Sequence, residues 1–182
     1  MKKIVLILLL CGGCASQDIQ DEYTVGTTLS TASSMVGLHE RKNRAELKSI
    51  IGIDPVNTEW CAAFVNSILN LNGIPGSEVV SQYPLLAKSF LYWGSYAMTP
   101  EFGDIIVFPR GNQGWQGHVG FYVDTVSVDG KLYWQILGGN QKNSVSIELY
   151  SPDRALAVRR APDRVQMVES RNLLEIIRSW FV

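Results

Sequence analysis

His118-Val-Gly-Phe-Tyr-Val-Asp124, Asp129-Gly130 and Leu132-Tyr-Trp-Gln-Ile-Leu137 read in order as strand, turn and strand. An Asp-Gly pair between apolar runs rich in aromatic and β-branched residues signals a two-residue hairpin loop, whose central residues take positive φ. Working outward, Asp104-Ile-Ile-Val-Phe108 reads as a buried strand ended by Pro109, and Ser144 to Tyr150 and Ala155 to Arg159 read as two more strands. Before residue 100 the apolar spacing is helical instead. Helices are expected from Ser34 to Ile51, from Thr58 to about Leu71, and from about Pro84 to Trp93. Gly52 and Asp54-Pro55 end the first, Thr58 is the expected N-cap of the second, and Asn72-Gly73 its C-cap. Helices followed by an antiparallel meander define an α+β class, with N-terminal helices packed on a C-terminal antiparallel sheet.

The chain has 182 residues, enough for one domain with a substantial core. Its net charge of -1 argues against a nucleic-acid binder held by a basic surface. The start of the chain reads differently from the rest. Lys2-Lys3 precede a short apolar run, Ile4 to Leu10, and then Cys11-Gly-Gly-Cys14. That run is too short to span a bilayer and reads as an export signal. Small residues before a cysteine resemble the lipobox of bacterial lipoproteins, although Cys11 stands where Leu is usual. Residues 1–14 are therefore expected to be a lipoprotein signal peptide with Cys14 lipidated. Ala15-Ser16 after that cysteine, with no Asp, resembles the pattern sorted to the outer membrane, facing the periplasm. Residues 15–33 are polar and read as a tether, residues 34–161 as the folded domain. The tail, 162–182, carries Leu173, Leu174, Ile176, Ile177, Trp180 and Phe181 and reads as an amphipathic helix.

With Cys11 removed and Cys14 acylated, Cys61 is the one cysteine left in the exported domain. In an oxidising compartment a lone thiol is either an inert core residue or a nucleophile. Cys61 falls in the first turn of its helix, where unpaired N–H groups and the dipole favour a thiolate and an oxyanion. Of the two histidines, His39 sits in a charged run read as a solvated helix face. His118 opens a strand just after the Gly-rich loop 110–117, and is the candidate base. The imidazole needs a third group to hold its tautomer. A two-residue hairpin loop places Gln141 across from His118, and a register one residue different places Asn140 there. No zinc spacing, phosphate loop or Gly-x-Ser-x-Gly elbow is present, so no metal or cofactor is expected.

Trp60-Cys-Ala-Ala-Phe-Val-Asn66, Gly103-Asp-Ile-Ile-Val-Phe108, His118-Val-Gly-Phe-Tyr-Val123 and Leu137-Gly-Gly-Asn-Gln141 resemble, in order, the motifs of papain-like cell-wall hydrolases. The similarity is to the CHAP and NlpC-type groups, and within them to a small phage-lysin-like subfamily. It implies a papain-like α+β fold and hydrolysis of an amide bond in peptidoglycan stem peptides, by an endopeptidase or an N-acetylmuramoyl-L-alanine amidase. It places the nucleophile on Cys61, the base on His118 and the third polar residue on Asn140. Many CHAP domains carry an acidic residue two positions before that Asn; here the position is Gly138. The competing reading is a peptidoglycan-binding lipoprotein that keeps the cleft without turnover. Expected partners are stem peptides and, through the lipid, a membrane.

Overall fold

The computed structural model describes residues 27–162. The signal peptide with Cys14, residues 15–26 of the tether and residues 163–182 of the tail lie outside the described residues. A helical stretch over 27–33 and the α-helices α1 (Arg44–Ile51) and α2 (Cys61–Leu71) precede six strands among the described residues: β1 (Ser95–Ala97), β2 (Ile105–Pro109), β3 (Gly117–Val128), β4 (Lys131–Gln141), β5 (Ser144–Tyr150) and β6 (Ala157–Arg160). The sheet order is β1-β6-β2-β3-β4-β5, and every pairing is antiparallel. The expected meander is therefore present as β2 to β5. β6 then crosses back to β2, and β1, a strand not expected from the sequence, pairs with β6. This α+β arrangement is consistent with a papain-like fold.

Alternation along the strands divides the core in two. Ile105, Val107, Val119, Phe121, Leu137 and Val145 face the helices, where Trp60, Phe64 and Ile68 pack in one buried cluster. Ile106, Phe108, Tyr122, Ile136 and Val158 form a second cluster, with Trp134 and Tyr150 packed against it. Residues of alternate parity point to opposite faces of a strand, which is why one short run such as Ile105-Ile-Val-Phe108 serves both. Each large apolar side chain buried this way contributes about 2 kcal/mol.

The helical region departs from expectation in four places. The first expected helix survives only as α1. Gly37 takes φ 96°, and residues 37–40 run along the free edge of β5 through Gly37 N–H to Val145, Val145 N–H to Leu38 and Glu40 N–H to Asn143. The charged run is thus a turn covering a sheet edge, and Glu40 in it is buried. Residues 27–33, expected as tether, are helical, with Leu29 and Ala32 in the core. Helix α2 begins at Cys61 with Trp60 as its N-cap, so Thr58 is not the cap. The third expected helix is a short 3-10 stretch, Ala87–Tyr92.

Asn66 ties α2 to the next loop. Its Nδ2 donates to Pro84 O at 2.8 Å, and its Oδ1 accepts from Ser77 N–H at 2.8 Å. At the other end of the sheet, Arg160 makes a forked pair with buried Asp104, at 3.0 and 2.8 Å.

Candidate active site

Cys61 is the first residue of α2 and is 4% exposed. The backbone N–H groups of Val119 and Ala62 point to its sulfur. The thiol thus lies against the strand residue that follows His118. The sequence reading expected helix-start placement to favour the thiolate. Burial outweighs it: the thiol is pushed above its ordinary pKa, while Arg110 and the two N–H groups pull the other way without prevailing.

His118 follows Gly117 at the start of β3 and is 3% exposed. Its ring meets one aromatic side chain and one amide. Tyr150 stacks on it at 5.5 Å with an interplanar angle of 12°, and Tyr150 in turn stacks on Phe108 at 4.5 Å. Nε2 lies 3.1 Å from Oε1 of Gln141. Burial, as the dominant cause, lowers the imidazole pKa to about 4.

Gln141 has little freedom to turn over. Its Nε2 donates to Ser146 O at 2.6 Å and lies 3.2 Å from Ile136 O, so Oε1 is the atom presented to the ring. Oε1 also accepts the Tyr150 hydroxyl at 3.0 Å. An acceptor at Nε2 requires that nitrogen to carry the proton, which leaves the lone pair on Nδ1. Nδ1 is buried and has no hydrogen-bond partner. Tyr150 remains a phenol, since burial raises its pKa to about 12.

Asn140 does not face the imidazole. Its Nδ2 donates to Glu59 Oε2 at 2.6 Å, and Arg110 lies 3.5 Å from both Glu59 Oε2 and Asn140 O. The side chain that faces the imidazole is Gln141. Two irregularities, one in the β3–β4 pairing and one in the β4–β5 pairing, decide this. The turn itself pairs Val128 with Lys131, with Asp129 at φ 51° and Gly130 at φ 73°, as a two-residue loop requires. An irregularity between Tyr122 and Asp124 then shifts β3 against β4 by one residue, giving Phe121 opposite Leu137. Continued regularly, that register would bring Asn140 across from His118. A second irregularity, between Gly138 and Gln141, intervenes on β4. Asn140 there takes φ 56°, and Gln141 turns onto the face of His118.

Gly138 sits beneath this bond. A Cβ there would lie 3.4 Å from Gln141 Cδ and 3.5 Å from His118 Nε2, so an acidic side chain at this position would compete with Gln141 for the ring. Gly139 is required for packing: a Cβ would meet Trp60 Cζ3 at 2.6 Å and Phe64 Cβ at 2.7 Å. His39 is engaged locally, at the edge of β5. Its Nδ1 accepts the N–H of Arg41, and its backbone bridges to Ser144. Among the described residues, no group of three or more His, Cys, Asp or Glu is arranged to hold a metal ion.

The sequence reading weighed Gln141 and Asn140 together, and only the family resemblance favoured Asn140. It missed Tyr150 altogether. The signal for Tyr150 was alternation in β5, which puts an aromatic residue at its end.

No curated protein matches the chain. Residues 53–140, just under half of the chain, match the family model of the CHAP domain, a span that contains Cys61 and His118 and ends one residue short of Gln141. CHAP domains usually act on peptidoglycan as cysteine peptidases or amidases, so the match suggests a cell-wall hydrolase. Residues 53–140 are thus similar to the CHAP domain, consistent with the CHAP and NlpC-type superfamily of cell-wall hydrolases.

Proposed function

We propose that the protein is a cysteine hydrolase that cleaves an amide bond of the peptidoglycan stem, as an endopeptidase or an N-acetylmuramoyl-L-alanine amidase. The observation that carries this reading is the imidazole of His118, held by Gln141 with its unprotonated Nδ1 buried and unpartnered. An orphaned basic nitrogen beside the strand that receives the Cys61 sulfur is unfavourable for folding alone and useful to a general base.

The resting pair is neutral thiol and neutral imidazole. Cys61 Sγ attacks the carbonyl carbon as its proton passes to Nδ1 of His118. The imidazolium so formed is stabilised through Nε2–H by Oε1 of Gln141, a hydrogen bond that strengthens when the ring is charged. His118 then returns the proton to the leaving amine, and water cleaves the thioester. Gln141, rather than Asn140, is the positioning residue in this scheme, and Tyr150 fixes Gln141.

Incubation of the protein with purified sacculi, followed by mass spectrometry of released fragments, tests the reading and identifies the bond. Cys61→Ala should release nothing. Release equal to wild type would overturn it. The alternative, a peptidoglycan-binding protein without turnover, predicts retention on sacculi with no fragments from the wild-type protein.

The proposal extends to location. Cys14 is the lipidated N-terminus of an exported chain anchored in the outer membrane and facing the periplasm. Incorporation of an alkyne-tagged fatty acid, lost in Cys14→Ser, tests the anchor.

A further inference from the structure

Asn140 and Gln141 are adjacent amides, and only Gln141 faces the imidazole of His118. The register Gly138↔Ser146 and Gln141↔Ser144 leaves Gly139 and Asn140 on β4 opposite Val145 alone. Asn140 is thus taken up in a bulge, with φ 56°. Left-handed backbone is uncommon for a residue with a side chain, although Asn tolerates it well. Asn140 is also buried, so its amide needs a partner inside the bulge. That partner is Glu59: Nδ2 of Asn140 donates to Oε2 of Glu59 at 2.6 Å, across 81 residues of chain. Arg110 lies 3.5 Å from the same carboxylate oxygen, and the Glu59 side chain is 76% exposed. An exposed ion pair of that kind contributes little by itself. The bond to Asn140 differs, because losing it leaves a buried donor unsatisfied.

We propose that Glu59 is a second positioning residue, which holds the Asn140 amide away from the imidazole and so reserves His118 for Gln141. This rests on the hydrolase reading above, in which the bond from Gln141 stabilises the imidazolium. Without the carboxylate, the Asn140 amide is left buried and unpaired. Straightening the end of β4 relieves it by carrying Asn140 across from His118, and the same change turns Gln141 off that face. The ring is then shared between two amides that differ by one methylene in reach. Removing Asn140 as well removes the rival. The harm done by losing Glu59 therefore depends on Asn140 being present.

Three variants of the full chain test this: Glu59→Ala, Glu59→Gln, and Glu59→Ala combined with Asn140→Ala. Fragment release from sacculi should show kcat lowered about tenfold in Glu59→Ala with KM little changed, within the range for coupled neighbours. Glu59→Gln keeps an acceptor oxygen for Asn140 and should retain most of the activity. The double variant should recover to the level of Asn140→Ala alone, whereas a merely structural role for Glu59 predicts a further loss. The ring-nitrogen NMR resonances of His118 give a second readout that needs no turnover, and the chain has one other histidine, His39. They should move in Glu59→Ala and return in the double variant. Ring resonances that stay put in Glu59→Ala, or that stay displaced in the double variant, would overturn the proposal. A kcat equal to wild type in Glu59→Ala, or losses that simply add, would do the same. The two readings separate: if wild type releases no fragments the hydrolase reading fails, and the ring resonances alone decide the role of Glu59.

Discussion

Oε1 of Gln141 lies 3.1 Å from Nε2 of His118, and the amide that carries it is pinned by the carbonyl of Ser146 on the next strand. The tautomer of the imidazole is therefore set by β5 acting through the end of β4. Asn140, one residue earlier, turns the other way and joins Glu59 and Arg110 at the rim.

This division of labour predicts unequal effects from neighbouring substitutions. Gln141→Leu removes the acceptor for Nε2–H and should lower kcat by about 10²-fold, the scale of a general-base contribution. Asn140→Ala leaves the ring's partner in place and should lower it far less. Fragment release from sacculi measures both, and a larger loss in Asn140→Ala would reassign the third residue.

A second prediction concerns pH and stability. The folded pKa of His118, about 4, lies below the ordinary value near 6.5. As pH falls, the unfolded chain therefore takes up this proton first. The neutral ring's contribution is complete above about pH 6.5 and is lost as pH drops toward 4. At pH 4.5 the loss attributable to His118 should be about 2–3 kcal/mol relative to pH 7.5. Urea unfolding at the two pH values, in wild type and His118→Gln, isolates it: the variant should show a smaller acid-induced loss by that amount.

The buried thiol should alkylate slowly at neutral pH. Cys61 is pushed above its ordinary pKa, chiefly by burial, so its rate with iodoacetamide should keep rising past pH 9. A fast rate that is flat from pH 5 to 8 would instead reveal a resting thiolate–imidazolium pair.

Close packing of β4 on α2 predicts that Gly139→Ala is destabilising by about 1–3 kcal/mol, because its methyl group overlaps Trp60 and Phe64. Chemical denaturation followed by tryptophan fluorescence measures this. A neutral effect would show that the two elements can separate.

Asp104 is buried and accepts both arms of the Arg160 fork. Asp104→Ala should cost about 1–3 kcal/mol by removing the buried end of that fork, with Arg160 left to its pair with Glu101 at 3.0 Å. Thermal unfolding is the check, and the site chemistry at Cys61 should not follow the change in Tm.

Local signals in the chain determined much of this protein. Strand alternation, the Asp129-Gly130 turn and the helical spacing after Trp60 made the α+β class readable. The same signals placed Cys61 at a helix start and His118 at a strand start, because both depend on neighbours a few residues away. The shorter first helix and the 3-10 stretch were not readable, since tertiary contacts at the β5 edge and around Asn66 override weak local propensity. Neither was the identity of the group that holds the imidazole. It depends on two irregularities in successive strand pairings, β3–β4 and β4–β5, and each exchanges which side chain shares a face with His118. Burial likewise came only with the assembled core. It reversed the expected effect of the helix start on Cys61, because desolvation outweighs a dipole and two N–H groups once the thiol is enclosed.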